Sequence, residues 1–177
     1  MRVLGIDGGF ASMGIAVLEL TPDQELLRDV YVVRTQKSDR KLQVLAGDDT
    51  ARRGRELAHH VGLAITSQSP GAIVIESPSW PRNAGVAAKL GVAFGVVYAL
   101  AEKHGLPLLQ VSPQQVKKSL CGRKDAAKED IIAAVEARFP SVTWPSQKGL
   151  WEHAADSIAV VLAGLDSDVI RAVRRAA

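Results

Sequence analysis

The chain has 177 residues, 47% of them hydrophobic and 23% charged, with a formal net charge of +3 and a pI of about 9.2. These values predict one globular domain over residues 1–177 and exclude a disordered or fibrous chain. Every apolar run is interrupted before the roughly 20 residues that a membrane span needs, and no signal peptide is recognisable, so we expect no membrane association. The single cysteine, Cys121, excludes an internal disulfide and a cysteine-rich zinc site, and it favours a cytoplasmic location.

The first apolar run, Val3 to Ile6, ends at Asp7 and a pair of glycines, after which alternating apolar residues resume. This pattern predicts two antiparallel strands joined by a tight turn. The stretch from Leu26 to Thr35 alternates in the same way and predicts a third antiparallel strand. The carboxylate of Asp7 would then lie at the rim of a sheet, where several strands can deliver side chains to one point.

The polar stretch 36–49 predicts a mobile loop that a ligand could order. Asp48 or Asp49 is expected to cap a helix that continues to about Ser67. Three arginines are expected on or near the outer face of this helix: Arg52, Arg53 and Arg55. Lysine and arginine residues cluster here and in three other places, which favours either solvated faces or a polyanionic partner. The clusters are 34–41, 52–55, 117–128 and 171–175.

A second apolar strand that ends in a carboxylate follows at Gly71 to Glu76. A fully apolar strand reached through a helix is typical of a central, parallel strand, so Glu76 is expected beside Asp7. The alternative is a glutamate that points into solvent. Trp80 follows in a proline-rich turn, where it either covers an edge of the core or, flanked by Arg82 and Asn83, stacks on a base.

The helix predicted from Asn83 to His104 is apolar almost all round, and Lys89 is one of its few charges. Such a helix must be covered on two sides, so we expect a sheet on one side and a partner subunit or further helices on the other. Gly91 and Gly95 would allow close approach of another helix.

A fifth strand is predicted from Leu106 to Val111, followed by helices over 113–120 and 126–139. Five bases surround the intervening glycine, and a helix start beside bases suits a phosphate group. These bases are Lys117, Lys118, Arg123, Lys124 and Lys128.

The last clear helix is predicted from Leu150 to Leu165, and a short helix is expected over 166–175. His153 and Asp156 are three residues apart and therefore project from one face of the long helix. The alternative is that an acidic first turn merely complements the helix dipole.

Asp7, Glu76, His153 and Asp156 therefore form a candidate metal site. Converging carboxylates repel one another unless a cation neutralises them. Oxygen ligands with one imidazole suit Mg²⁺, or alternatively Mn²⁺, better than zinc. Two such ions in one site would support hydrolysis of a phosphodiester.

Five motifs in this order and spacing resemble those of RuvC-type Holliday junction resolvases, which belong to the RNase H-like nuclease superfamily. They are GID at 5–7, IES at 75–77, NAGVAAKLGVAFG at 83–95, QVKKSLCGRKDAAK at 115–128 and HAAD at 153–156. The resemblance covers nearly the whole chain. It implies an α/β, RNase H-like fold with a five-stranded mixed sheet, three antiparallel strands followed by two parallel ones, and helices on both faces.

The resemblance also implies a homodimer, formed through the helix Asn83 to His104, that makes paired nicks in four-way DNA. The four acid and histidine residues named above would hold two Mg²⁺ ions, and Trp80 would be the aromatic residue inserted near the junction centre. Residues expected to contact DNA are Trp80, Arg82, Asn83, Lys89, Lys117, Lys118, Arg123, Lys124 and Lys128.

Two departures from the family pattern leave the strictness for four-way junctions open. Gly8-Gly9 follows Asp7 where bacterial members usually carry Pro-Gly, and the turn at Gly122 lacks a second glycine. These features are typical of a phage-borne or divergent member, acting in a bacterial cell or a phage-infected host. The alternatives are a less strict nuclease for forks and flaps, an actin-like ATPase, and a catalytically inactive junction-binding protein. No helicase partner can be identified from the sequence.

Overall fold

A computed structural model describes residues 1–176 of the chain. Its five strands are β1 (Arg2–Asp7), β2 (Ser12–Leu20), β3 (Glu25–Arg34), β4 (Ala72–Glu76) and β5 (Leu108–Val111). They form one mixed sheet in the order β3-β2-β1-β4-β5. The first three strands pair antiparallel, whereas β4 and β5 run parallel to β1. The predicted sheet, with three antiparallel strands followed by two parallel ones, is confirmed.

Helices cover both faces of this sheet. They are α1 (Ala46–Gln68), α2 (Ala84–Lys103), α3 (Pro113–Cys121), α4 (Lys128–Arg138), α5 (Trp151–Gly164) and α6 (Asp168–Ala176). One apolar core lies between the sheet and α1 with α2, and a second lies between the sheet and the other four helices. Alternate residues of each strand enter opposite cores, as strand geometry requires. In β1, Val3 enters one core and Leu4 the other, and both are fully buried.

Helix α5 packs directly against the backbone of β1 and β2, and two glycines make this possible. A Cβ atom at Gly5 would lie 1.9 Å from the carbonyl oxygen of Ser157, and one at Gly14 would lie 2.0 Å from that of His153. Ala154 and Ala155, which face this contact, are fully buried. No side chain larger than hydrogen fits at either glycine, so these two positions set the distance between α5 and the sheet.

The start of α1 differs from its predicted position. The helix begins at Ala46, with no side-chain cap, and Asp49 lies inside its first turn. The Asp49 carboxylate instead accepts hydrogen bonds from the backbone and hydroxyl groups of Ser38 and from Arg52, at 2.8 to 2.9 Å. The preceding segment contains a short 3₁₀ helix, Arg40–Leu42. Asp49, one of the two residues expected to cap α1, thus connects α1 to the segment that was expected to be a mobile loop.

Arg53 was expected on or near the outer face of α1, and this was wrong. Its side chain is buried, and its guanidinium lies 4.3 Å from the ring centroid of Phe10. It donates hydrogen bonds to the hydroxyl and carbonyl groups of Thr35. A cation over an aromatic face is stabilised by the negative charge of the ring face, and the two hydrogen bonds satisfy the buried donors.

The boundaries of two other elements moved by two residues. Helix α4 begins at Lys128 because the side chain of Asp130 accepts a hydrogen bond from the backbone of Ala127, which ends the preceding turn there. Strand β5 begins at Leu108, directly after Pro107, which lacks a backbone donor.

By length and composition, α2 is long and apolar enough to cross a membrane. This contradicts the expectation that every apolar run is too short. The interior helices of globular proteins meet the same criterion, and Ala93, Phe94, Val97 and Ala101 of α2 are buried in the core. The opposite face of α2 is exposed.

Replacing Gly14 by alanine is expected to displace α5 from the sheet. The added methyl group would overlap the carbonyl of His153, and overpacking of this kind costs about 1–3 kcal/mol of stability. Gly62→Ala is the matched control, because a Cβ there meets nothing within 4 Å, and alanine in a helix should stabilise by about 0.5–1 kcal/mol. Urea unfolding of both variants measures the difference, and equal stabilities would contradict this packing.

The anchor formed by Asp49 is expected to depend on pH. Hydrogen bonds from Arg52 and then Ser38 hold the pKa of the Asp49 carboxyl well below its usual range. A carboxyl with a depressed pKa in the folded state contributes stability above its unfolded pKa, near 3.9, and loses that contribution as the pH falls. Asp49→Asn should therefore be less stable than the wild type at pH 7, and the difference should narrow as the pH falls through the unfolded pKa near 3.9. Thermal melting from about pH 7 down to about pH 3 tests this, and a constant difference would refute it.

Candidate active site

The four side chains of the candidate metal site converge at one edge of the sheet. Asp7 ends β1 and Glu76 ends β4, and these strands are parallel neighbours, with Ile6 paired to Ile75. Parallel strands present their carboxyl ends at the same edge, so the two carboxylates lie side by side. His153 and Asp156 are brought to the same edge by α5. All four line one open groove of about 420 Å³, together with Gly8, Gly9, Ser77, Pro78, Ser79, Leu90, Phe94, Pro113, Lys128 and Glu152.

His153 contacts Asp7 directly. The Nδ1 atom of His153 lies 2.6 Å from the Oδ2 atom of Asp7, and both side chains are partly buried. This hydrogen bond is the main reason why the pKa of His153 is raised above its usual value, although burial opposes the shift. The contact joins residues 146 positions apart and orients the imidazole ring.

The carboxyl groups of Glu76 and Asp156 are unusually weak acids. Burial, followed by the charges of Asp156 and Asp7, raises the pKa of Glu76 to about 7. Burial, followed by the charges of Asp7 and Glu152, raises the pKa of Asp156 to about 7. Each carboxylate therefore resists ionisation because others stand close to it in a partly desolvated groove.

The donor chemistry of the groove fits a hard divalent cation. Within residues 1–176, no three His, Cys, Asp or Glu side chains stand in a ready metal-binding arrangement. Asp7 is instead engaged by His153. Carboxylate oxygens with an imidazole nitrogen suit Mg²⁺ or Mn²⁺, and a cation would relieve the repulsion that raises the two pKa values. The residues therefore fit a divalent metal ion whose binding would shift the contact between Asp7 and His153.

Glu152 is a groove residue that the sequence analysis did not select. Its carboxylate forms an ion pair with Lys128 across the groove. This contact is the main reason why the pKa of Lys128 is raised. The only available signal was that Glu152 precedes His153. Lys117, on α3, lies near enough to Glu76 for its charge to lower the pKa of that carboxyl, against the stronger effects that raise it.

The turn between β4 and α2 places an aromatic residue beside the groove. Trp80 is 61% exposed, and its ring centroid lies 6.4 Å from that of Phe94, which lines the groove. Trp80 thus packs against Phe94 and still presents most of its surface to solvent. Arg82 is exposed, and the side-chain oxygen of Asn83 caps α2 by accepting a hydrogen bond from Val86. The amide nitrogen of Asn83, a donor, remains available to a ligand.

The other predicted DNA-contacting residues lie around the groove in different states. Lys118 and Lys124 are exposed. Arg123 pairs with Asp125 and Asp130, so its charge is already partly neutralised. Lys89 does not line the groove, although its neighbour Leu90 does. It lines a separate cavity beside the segment that follows β3.

Comparisons with known proteins agree with this architecture. A crossover junction endodeoxyribonuclease RuvC from Synechococcus sp. (strain WH7803) is 29% identical over 164 residues, which cover 93% of this chain and 97% of that protein. The structure of Thermus thermophilus RuvC in complex with a Holliday junction substrate is similar, with a TM-score of 0.73, 28% identity and 92% of each chain covered. The yeast mitochondrial Holliday junction resolvase Ydc2 shares the fold at a TM-score of 0.64 and 14% identity, covering 99% of this chain and 84% of that one. The family model for crossover junction endodeoxyribonuclease RuvC matches residues 3–164, and the chain therefore belongs to the RuvC family of crossover junction endodeoxyribonucleases.

Proposed function

We propose that this chain is a structure-selective endonuclease that resolves four-way DNA junctions by paired, metal-dependent hydrolysis of phosphodiesters, in DNA recombination and repair. The observation that carries the proposal is the convergence of Asp7, Glu76, His153 and Asp156 in one groove of a RuvC-family chain. An actin-like ATPase, the alternative from another class, receives no support from a family match that spans residues 3–164. The whole chain would act as one nuclease domain in the cytoplasm.

The RuvC family consists of metal-dependent nucleases, and for this chain we propose two Mg²⁺ ions, with Mn²⁺ as a substitute. The ligands would be Asp7, Glu76, Asp156 and His153. When bound, divalent cations supply a Lewis acid and an activated water. Ionisation of Glu76 and Asp156, whose pKa values are raised to about 7, is the step that prepares the groove for cations.

His153 has a second possible use in the reaction. With Nδ1 engaged by Asp7, the Nε2 atom is the position at which the ring can exchange a proton with a water or a phosphate oxygen. The Asp7 carboxylate fixes the ring for this exchange, as a hydrogen-bonded acid does for catalytic histidines in general. His153 would thus hold a metal or place the attacking water.

Bases around the groove would hold the DNA backbone. Lys117 and Lys128 lie nearest the acids, and Lys118, Arg123 and Lys124 extend the positive surface along α3 and the following turn. Trp80, beside Arg82 and Asn83, offers an exposed aromatic face to unpaired bases at the branch point. Lys128 is paired with Glu152 in the DNA-free protein, and a phosphate would have to compete with that carboxylate.

Paired nicks require two active sites, and α2 offers the surface for a homodimer. Its face away from the core carries exposed small and apolar residues, including Ala88, Gly95 and Ala99. Val86 and Tyr98, which are 53% and 37% exposed, add larger apolar groups. Exposed apolar surface of this extent on a helix is typical of an interface. The helix expected to form the dimer is therefore the one with an uncovered apolar face.

Removing single carboxylates is expected to abolish cleavage and to preserve DNA binding. Asp7→Asn, Glu76→Gln and Asp156→Asn each delete a charge that would hold a cation, and losses of at least about 100-fold in rate are expected, comparable to those for other catalytic charges. The substrates are a four-way junction, a fork, a flap and a linear duplex, each tested with Mg²⁺ and with Mn²⁺. Binding of the junction is measured separately in EDTA.

Asp125→Asn is the control, because Asp125 is an exposed carboxylate that pairs only with Arg123 among the described residues. It should cleave at the wild-type rate. Symmetric nicks in the four-way junction alone support the proposal, whereas equal cleavage of forks and flaps favours the less strict nuclease. Full activity in any of the three variants removes that residue from the reaction.

A charge on the exposed face of α2 is expected to separate the subunits. A Cβ atom at Gly95 meets nothing within 4 Å, so Gly95→Glu should fold normally as a monomer but bury a carboxylate in a dimer. Gly62→Glu, on α1, has equally open surroundings and serves as the control. Sedimentation equilibrium should show a dimer for the wild type and the control and a monomer for Gly95→Glu. The junction should then receive single, unpaired nicks. A wild-type monomer, or an unaffected variant, would refute this interface.

A further inference from the structure

A second basic surface lies beside the active-site groove, on the segment that follows β3. We name it the basic ledge, and it consists of Lys37, Arg40, Lys41 and Lys89. The side chains of Lys37, Arg40 and Lys89 line a cavity of about 370 Å³ together with Ser38, Asp39 and Gln43 among others. Lys37, Arg40 and Lys41 are exposed, and Lys89 is half-buried on α2.

Among residues 1–176, the four bases of the ledge have no ion-pair partner. Among residues 1–176, the carboxylates form pairs with eight other bases and one histidine, and none lies within 4.0 Å of a ledge nitrogen. The nearby acids serve other purposes. Asp39 accepts a hydrogen bond from the backbone of Lys41 and caps the 3₁₀ helix. Asp49 is engaged by Ser38 and Arg52. The positive charge of the ledge is therefore available to a ligand.

The ledge is held in place rather than tethered loosely. Asp49 fastens Ser38 to α1, and Arg52 donates a hydrogen bond to the carbonyl of Gln36. At the start of the segment, buried Arg53 binds Thr35. Cations on an anchored backbone lose less conformational freedom on binding than cations on a mobile loop. A site with fixed positions is therefore available along the segment.

The ledge is also continuous with the active-site groove. Thr35 donates hydrogen bonds from its backbone to the carbonyl of Ala11 and from its hydroxyl to that of Phe10. Phe10 follows the Gly8-Gly9 turn that lines the groove beside Asp7. On α2, Lys89 faces the ledge cavity and the next residue, Leu90, faces the groove. One helix and one loop thus connect the two sites.

We propose that the basic ledge binds the phosphate backbone of one duplex arm of the DNA substrate while the branch point occupies the groove. This inference rests on the proposed junction-resolving function and adds a second contact site to it. Four cations at fixed positions, without ion-pair partners among residues 1–176, suit a polyanion. They lie beside the groove, where a duplex arm would run away from the strand that is cleaved. Exposed Leu42 and Leu45 border the ledge and would favour a protein partner, such as a second copy of this chain. The unpaired charge favours DNA.

The test measures the salt dependence of junction binding in EDTA, from about 50 to about 200 mM KCl. The variant is Lys37→Gln/Arg40→Gln/Lys41→Gln. The slope of log affinity against log salt should become shallower by about 0.9 for each lost phosphate contact, and so by up to about 3. Lys89→Gln, on the helix, should lower the slope by up to about 1 without altering the segment. Shortening the arms of the junction should weaken binding by the wild type more than binding by the triple variant.

The matched control is Lys103→Gln/Arg171→Gln/Arg175→Gln, which removes three charges from the opposite edge of the sheet. Lys103 ends α2 before β5, and α6 packs near Gly71, which precedes β4. This control should keep the wild-type slope to within about 1, since non-contacting charges release few counterions. Thermal melting should be unchanged in all variants.

Two results would overturn the proposal for the ledge alone. The first is a salt-dependence slope that is unchanged in the triple variant. The second is loss of the dimer by the triple variant in sedimentation equilibrium, which would assign the ledge to a subunit interface. In both cases the wild type would still cleave the junction, so the proposed function would stand. A wild type that neither binds nor cleaves the junction would overturn the proposed function and the ledge with it.

Discussion

The active site depends on the backbone contact between α5 and the sheet. Gly5 and Gly14 lie on adjacent antiparallel strands, and each faces a carbonyl oxygen of α5 across a gap that would not admit a methyl group. Because His153 is itself one of the contacted residues, its position follows from Gly14 directly. Asp156 is one turn further along and moves with it. The glycines thus place the helix side chains against Asp7 and Glu76, which the parallel pairing of β1 and β4 has already aligned.

This placement brings together more carboxyl groups than the groove can keep ionised without a cation. Burial and mutual repulsion raise the pKa values of Glu76 and Asp156 to about 7, and Asp7 turns to His153. Lys128 is held by Glu152, and Lys117 only partly offsets the repulsion at Glu76. A folded domain that retains such an arrangement gives up some stability in its metal-free state. The imbalance is understandable if the site is completed by a cation.

Much of this arrangement could be predicted from local patterns. The strand ends at Asp7 and Glu76, the helix that starts after Asn83 and the glycine at Gly122 that ends α3 depend on neighbours in sequence, and these elements lie close to where they were expected. The burial of Arg53 and the ion pair of Glu152 could not be predicted, because they depend on Phe10 and Lys128, which are distant in the chain. The same holds for Asp49. It has the sequence features of a helix cap, but a tertiary contact with Ser38 engages its carboxylate.

The distribution of charge around the groove also couples the binding of DNA to the binding of divalent cations, the two ligands of the proposed reaction. Acids fill the centre of the groove, where the lining base Lys128 is paired with Glu152, whereas the bases of the ledge at Lys37, Arg40 and Lys41 form no ion pair among residues 1–176. DNA is therefore attracted by the periphery and repelled by the centre. A phosphate brought into the groove would add to the negative charge of Asp7, Glu76 and Asp156, so divalent cations would be held more tightly in the presence of DNA. By reciprocity, cations favour entry of the phosphate to the same extent. A duplex held by the periphery alone would bind without being positioned for cleavage.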